Sequence, residues 1–350
     1  MTLKKTLNSI GWKYGLMGVL YIAIEILLGK LIMHFVPESL ESLKIYITYA
    51  IMVFTVDCVC FPFILLITLK MPKAEIKKKK LGFEKFFLSI LIMYGLILVG
   101  SLIGSPIHTV LTAPFNVKDD GLAMLMINSN FFVRVFVVGI SAPIFEELIF
   151  RKVLIDHLAA KGELVAVLAS GLMFGLFHGN FQQGFFTAFI GCFFAYIYLR
   201  TGKVRYTIFL HMILNCITSG ITLELIKWLY KLIEKDFGNI DNFTTETMQA
   251  MHMDERDLVI ILIPTFLLFA WVLTLFGVML SGLVTAITFA CVKTFKFKRR
   301  EGDDTFGKHV LALFTSPCMW IFYSVTIFLF GYTYLPPIVS TVKELLIKVM

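Results

Sequence analysis

The 350-residue chain is 58% hydrophobic and only 16% charged, with a mean hydropathy of +0.84. Soluble domains run near a quarter charged, so an ordinary soluble protein is excluded and a polytopic membrane protein is indicated. The net charge of +8 calls for no nucleic-acid partner, because juxtamembrane basic residues and anionic membrane lipid account for it.

A helix that crosses a bilayer needs roughly 20 mostly apolar residues, since about 30 Å of hydrocarbon is crossed at about 1.5 Å per residue. In chain order, such segments run near 14 to 36, 44 to 69, 84 to 109, 130 to 155, 163 to 180, 181 to 200, 204 to 225, 258 to 292 and 310 to 335. The expected fold is an all-α bundle of about eight or nine transmembrane spans, the fifth and sixth being short. The first span follows Lys4, Lys5 and Lys13 like a signal peptide, but Glu25 and Lys30 interrupt it and no small-residue cleavage site follows. It is expected to be retained.

Basic residues accumulate on the cytoplasmic side of membrane proteins. Lys73 with Lys77 to Lys80, then Arg151, Lys152 and Lys161, then Arg200, Lys203 and Arg205, then Lys293, Lys296, Lys298, Arg299 and Arg300 all fall on one side of these spans. Asp119 and Asp120 fall on the other side, as does the loop carrying Asp236, Asp241, Glu246, Asp254 and Glu255. The N-terminus is therefore expected in the cytoplasm and the C-terminus outside. Lys77 to Lys80 could also hold a lipid headgroup. The six cysteines lie in or beside spans with no CxxC spacing and read as small apolar residues, not disulfides or zinc ligands.

Charges inside the spans carry the functional signal, since a charged side chain at the bilayer centre costs roughly 2.5 to 3.5 kcal/mol on insertion scales. In the fourth span, "APIFEELIFRKVLI" holds Glu146, Glu147, Arg151 and Lys152. Glu147 and Arg151 are four apart on one helix face and can neutralise each other. Glu146 is turned about 100° away and is the better carboxylate for a wet cavity. The next span carries "FGLFHGN", with Phe174 and His178 four apart and Gly175 and Gly179 leaving room for close helix approach or a water pocket. Two spans later "HMILN" places His211 and Asn215 four apart.

Three polar faces on neighbouring helices must be satisfied in hydrocarbon, so one shared polar site is expected. Counted from the cytoplasmic ends at 1.5 Å per residue, Glu146 lies about 14 Å deep, His178 about 22 Å and His211 about 10 Å, a spread that helix tilt or unwinding must close. Asp57 and Glu25 either extend this polar region or pair with a lysine. Arg134 and Lys13 sit near span ends and are expected to snorkel, and Asp156 and His157 to be wetted at the interface.

A carboxylate, two imidazoles and a carboxamide suit amide hydrolysis without a covalent intermediate. Glu146 can act as general base on a water that His178 orients, while His211 and Asn215 donate to the oxyanion. Alternatively, Glu146, His178 and His211 form a known type of zinc ligand set, so the cofactor is either none or one divalent metal such as zinc. No HExxH is present.

The three elements EExxxR (Glu146, Glu147, Arg151), FxxxH (Phe174, His178) and HxxxN (His211, Asn215) resemble, in order, the motifs of the CPBP family of intramembrane proteases. These are the CAAX proteases and bacteriocin-processing enzymes also called Abi. The resemblance covers about residues 130 to 225, roughly a quarter of the chain. It implies a membrane-embedded endopeptidase acting on a membrane-associated peptide or protein, with Glu146 and His178 activating water and His211 and Asn215 forming the oxyanion hole. Glu147, Arg151 and Phe174 then give structural support. The Phe-rich, Lys-rich chain with extra flanking spans looks like a bacterial member, integral to the cytoplasmic membrane.

The organisation expected is N-terminal transmembrane helices over 1–129, a CPBP-like catalytic core over 130–225, and an extracytoplasmic loop with C-terminal helices over 226–350. The rival reading is a noncatalytic CPBP-like membrane protein, active in bacteriocin self-immunity or as a scaffold for a membrane sensor.

Overall fold

The computed structural model describes residues 2–113, 121–237, 255–292, 295–297 and 306–349. Among them the regular structure is helical, with no strand. Helix α1 (Leu3–Phe35) starts at Thr2, whose side chain accepts from the Lys5 amide, and stops just before Pro37. Helix α2 (Glu41–Val53) passes through a π-helical stretch, Phe54–Cys60, into α3 (Phe61–Thr68). An extended strap then leads to α4 (Phe83–Thr112) and α5 (Gly121–Asn128). The strap lies across the ends of later helices, held where Lys79 N donates to Thr201 O at 2.8 Å and Leu81 N to Tyr206 Oη at 3.2 Å.

From Phe131 to Leu158 the chain is one helical rod built of short pieces. These are α6 (Phe131–Arg134), the π stretch Val135–Ser141, α7 (Ala142–Glu147), the π stretch Leu148–Val153 and α8 (Leu154–Leu158). Proline explains two of the wide turns. Pro62 and Pro143 each stand just beyond a π stretch, and a proline both lacks the N–H that would bond four residues back and crowds that carbonyl. The carbonyls so released take side-chain donors instead. Val138 O accepts from Asn215 Nδ2 and Gly139 O from Cys216 Sγ.

Helix α9 (Glu163–Phe177) is followed by the tight turn at Gly179, where φ is +67°, and then by α10 (Phe181–Thr201), capped by the Asn180 side chain. Helix α11 (Arg205–Asn215) continues through the π stretch Cys216–Thr222 into α12 (Leu223–Phe237). Helices α13 (Glu255–Cys291), α14 (Phe306–Thr315) and α15 (Met319–Val349) complete the chain.

Helix α10 packs between α9 and α4, α13 packs on α4, and α1 on α15. Glycines permit the closest approaches: a Cβ on Gly175 would stand 2.4 Å from Gly184 O, and one on Gly282 would stand 1.8 Å from Leu91 O. One apolar cluster joins Tyr14 and Met17 of α1 to Phe150, Leu154, Phe174 and Phe322, and a second joins Met93 and Tyr94 to Phe194, Leu210 and Leu214.

The protein is an integral membrane protein. Among the described residues six helices are long and apolar enough to cross a bilayer, seven if α14 and α15, bent by 73°, form one span. Eight or nine spans were expected, and the difference has two sources. The rod from 131 to 158 carries Arg134, Glu146, Glu147, Arg151, Lys152 and Asp156, and α9 has only 15 residues, about 22 Å of helix. Both are helices, as the apolar pattern implied, but one is too charged and the other too short to count.

Two further expectations need correction. Arg134 does not snorkel: its side chain is fully buried and donates to Ser219 O at 2.5 Å, to Met126 O and Ser129 O at 3.1 Å, and to Glu224 at 2.7 Å. Lys13 is buried beside Ser9, and Asp156 and His157 are buried beneath the strap. In each case a partner inside the protein replaces water. Asp119, Asp120, Asp241, Glu246, Asp254, Lys293, Lys298, Arg299 and Arg300, which entered the orientation argument, lie outside the described residues.

Candidate functional site

The polar residues of the three motifs converge where α7, α9 and α11 meet. Glu147 and Arg151 form a fully buried ion pair, Oε1 to Nη1 at 3.0 Å. The guanidinium lies 4.2 Å from the Phe174 ring centroid and 5.6 Å from that of Phe194, so aromatic faces replace much of its solvation. The same Glu147 Oε1 lies 3.1 Å from His211 Nδ1. A carboxylate can only accept, so Nδ1 carries the hydrogen and Nε2 is directed to other uses. Glu147 therefore ties α7 to α11 as well as to its own helix.

Glu146 takes the other face, as its 100° offset implied. Its side chain is 28% exposed and its Oε2 lies 3.8 Å from His211 Nε2. His178 closes α9, with Nδ1 2.8 Å from Phe174 O. Since a carbonyl can only accept, Nδ1 is the donor and Nε2 of the neutral ring is an acceptor. Phe174 packs edge-on against both His178 and His211, with centroids 4.8 and 5.8 Å apart. Asn215 Nδ2 donates to the Val138 carbonyl at 2.8 Å, and the Asn215 backbone carbonyl accepts from Ser219 Oγ at 2.5 Å.

Glu146, His178, His211 and Asn215 all line one cavity of about 580 Å³, as does Phe174, whereas Glu147 and Arg151 stand behind it. His178, at the C-terminal end of α9, lines the same cavity as Glu146 and His211 although it lies farther along its helix than they do. The cavity also holds groups outside the motifs. Asp57, in the π stretch after α2, accepts from Ser141 Oγ, and Tyr94 contributes a side chain from α4. The intramembrane position of Asp57 was the signal for the first. Tyr94 has no such signal in the sequence, because an apolar helix accommodates tyrosine freely.

The residues weighed as a zinc set do not fit one as placed. Among the described residues no three His, Cys, Asp or Glu side chains converge in a way that could hold a metal ion. The Nδ1 hydrogens of His211 and His178 go to Glu147 and to the Phe174 carbonyl, which leaves the two Nε2 atoms for the cavity.

These features define a class: a helical integral membrane protein with a largely apolar cavity between its helices that carries a carboxylate-and-imidazole cluster. Sequence comparison is more specific. Residues 128–217, about a quarter of the chain, match the family model described as "Type II CAAX prenyl endopeptidase Rce1-like", so the resemblance carried by the three motifs is shown over that segment. The chain is also similar to "Putative membrane peptidase YdiL" of Bacillus subtilis (strain 168), with 32% identity over 93 residues. That alignment covers 26% of this chain and spans 38% of the relative's length. No solved structure matches.

Proposed function

We propose that the protein is an intramembrane endopeptidase that hydrolyses a peptide bond of a membrane-associated protein or peptide. The observation that carries this reading is the meeting of Glu146, His178, His211 and Asn215 in one cavity. Glu146 takes a proton from a water that the His178 Nε2 acceptor orients, the water oxygen attacks the scissile carbonyl, and Glu146 returns the proton to the departing amine. The developing oxyanion accepts from the second amide hydrogen of Asn215, the first being used on Val138. His211 contributes a donor at Nε2 when doubly protonated, and Glu147 supplies the adjacent counter-charge. Glu147, Arg151 and Phe174 hold these groups in place.

The working topology places the N-terminus in the cytoplasm, 130–225 as the catalytic core and the flanking helices as its enclosure, in a bacterial cytoplasmic membrane. The Rce1-like match and the peptidase name of the Bacillus relative support the reading at the level of membrane proteases. The test is cleavage of a membrane-peptide library by the purified protein beside Glu146→Ala and His178→Ala. Products made by the wild type and lost in both variants are expected. Products that persist in folded Glu146→Ala would remove the proposed base, and a wild type that cuts nothing would favour the noncatalytic reading.

A further inference from the structure

Asp57 lies near the middle of the apolar span Ser42–Thr68, where a carboxylate is costly unless something compensates it. Its one hydrogen-bond partner among the described residues is Ser141 Oγ, a neutral donor, and no Lys, Arg or His side chain pairs with it. It faces the cavity that also contains Glu146, and neither lysine nor arginine lines that cavity. Arg134 and Arg151 are fully buried elsewhere, each with an acidic partner. The cavity thus presents two carboxylates and no lysine or arginine, and its two histidines belong to the motif cluster around Glu146. Beside Asp57, the wall is apolar, formed by Met52, Val53 and Val56.

A second polar group there is unmatched. Tyr94 is 2% exposed, its hydroxyl has no hydrogen-bond partner among the described residues, and its side chain lines the same cavity. A buried hydroxyl without a partner is costly, and an entering peptide would supply one from its backbone.

We infer that Asp57, held by Ser141, is a specificity subsite for a basic side chain of the substrate, a lysine or arginine close to the scissile bond. The match is chemical. A long aliphatic stem suits the apolar wall, and the terminal cation meets a carboxylate where low polarity strengthens the attraction. Asp57 and Tyr94 both lie outside the matched segment 128–217, so this selectivity would belong to the flanking helices. The inference rests on the peptidase reading for its substrate, but its test does not require turnover.

The experiment uses the full-length protein in nanodiscs and hydrophobic peptides in which one lysine is walked through the sequence, each paired with a norleucine control. Cleavage is measured with the wild type, and equilibrium binding with Glu146→Gln, alone and combined with Asp57→Asn. At one or two positions lysine should improve binding by at least about tenfold, and Asp57→Asn should bring the lysine-to-norleucine ratio close to one. Equal ratios with and without Asp57→Asn would overturn the subsite. Should that variant fail to fold, the wild type decides by itself: no preference for lysine over norleucine, or an equal preference for glutamate, overturns it. Selective binding without any cleavage would retain the subsite and reject the peptidase reading.

Discussion

Glu147 and Arg151 show how a charged pair can persist in an apolar rod: each is fully buried, and the carboxylate also meets His211. Removing one partner leaves the other charge stranded. Glu147→Ala is therefore predicted to destabilise the protein by roughly 3 to 5 kcal/mol, seen as a large drop in Tm in detergent. An unchanged Tm would rule out the stabilising role of the pair. Glu146 is partly open and has no contact closer than 3.8 Å with a basic group, so Glu146→Gln is predicted to leave Tm nearly unchanged while abolishing cleavage. Arg134 makes an analogous structural prediction, since its guanidinium serves three carbonyls and Glu224. The donor arrangement also predicts that a chelator leaves the initial rate of the purified enzyme unchanged. Loss of activity on chelation with recovery on adding zinc would show that the side chains rearrange around a metal.

Among the elements, the contact between α9 and α10 determines where His178 stands. The helices touch through glycines, and a methyl group on Gly175 would meet the Gly184 carbonyl at 2.4 Å. Gly175→Ala is predicted to force the pair apart at a cost of about 1 to 3 kcal/mol and to lower turnover with it. Gly277 is a control within α13, because a Cβ there has nothing within 4 Å. Gly277→Ala is predicted to be neutral or slightly stabilising, reflecting the higher helix propensity of alanine. A Gly175→Ala variant no less stable than Gly277→Ala would show that the glycine contact between α9 and α10 does not set the cost. The proline-induced π turns work at the same scale. By widening the rod at Val135–Ser141 they release the Val138 carbonyl, which then orients Asn215.

For the whole molecule, the cavity is not a property of residues 128–217 alone. Met17 and Tyr21 of α1, Asp57 near α2, Tyr94 of α4 and Met279 of α13 complete its walls. The expected orientation is testable on described parts of the chain. Lys78→Cys in the strap should react with an impermeant maleimide from the cytoplasmic face and Ser39→Cys, between α1 and α2, from the opposite face. The reverse labelling would invert the topology.

By itself the sequence determined the membrane class, the helical character of every expected span and the three motifs, because apolar runs and i, i+4 spacing are local properties. Glu147 with Arg151 was legible for that reason. Tertiary structure decided what local spacing does not encode. It bonds Glu147 to His211 across 64 residues, places Asp57 against Ser141 across 84, and buries Arg134 among carbonyls of separate elements. It also gathers His178, at the end of α9, into the same cavity as Glu146 and His211. In hydrocarbon a polar group must find its partner within the protein, and which partner that is depends on how the helices pack.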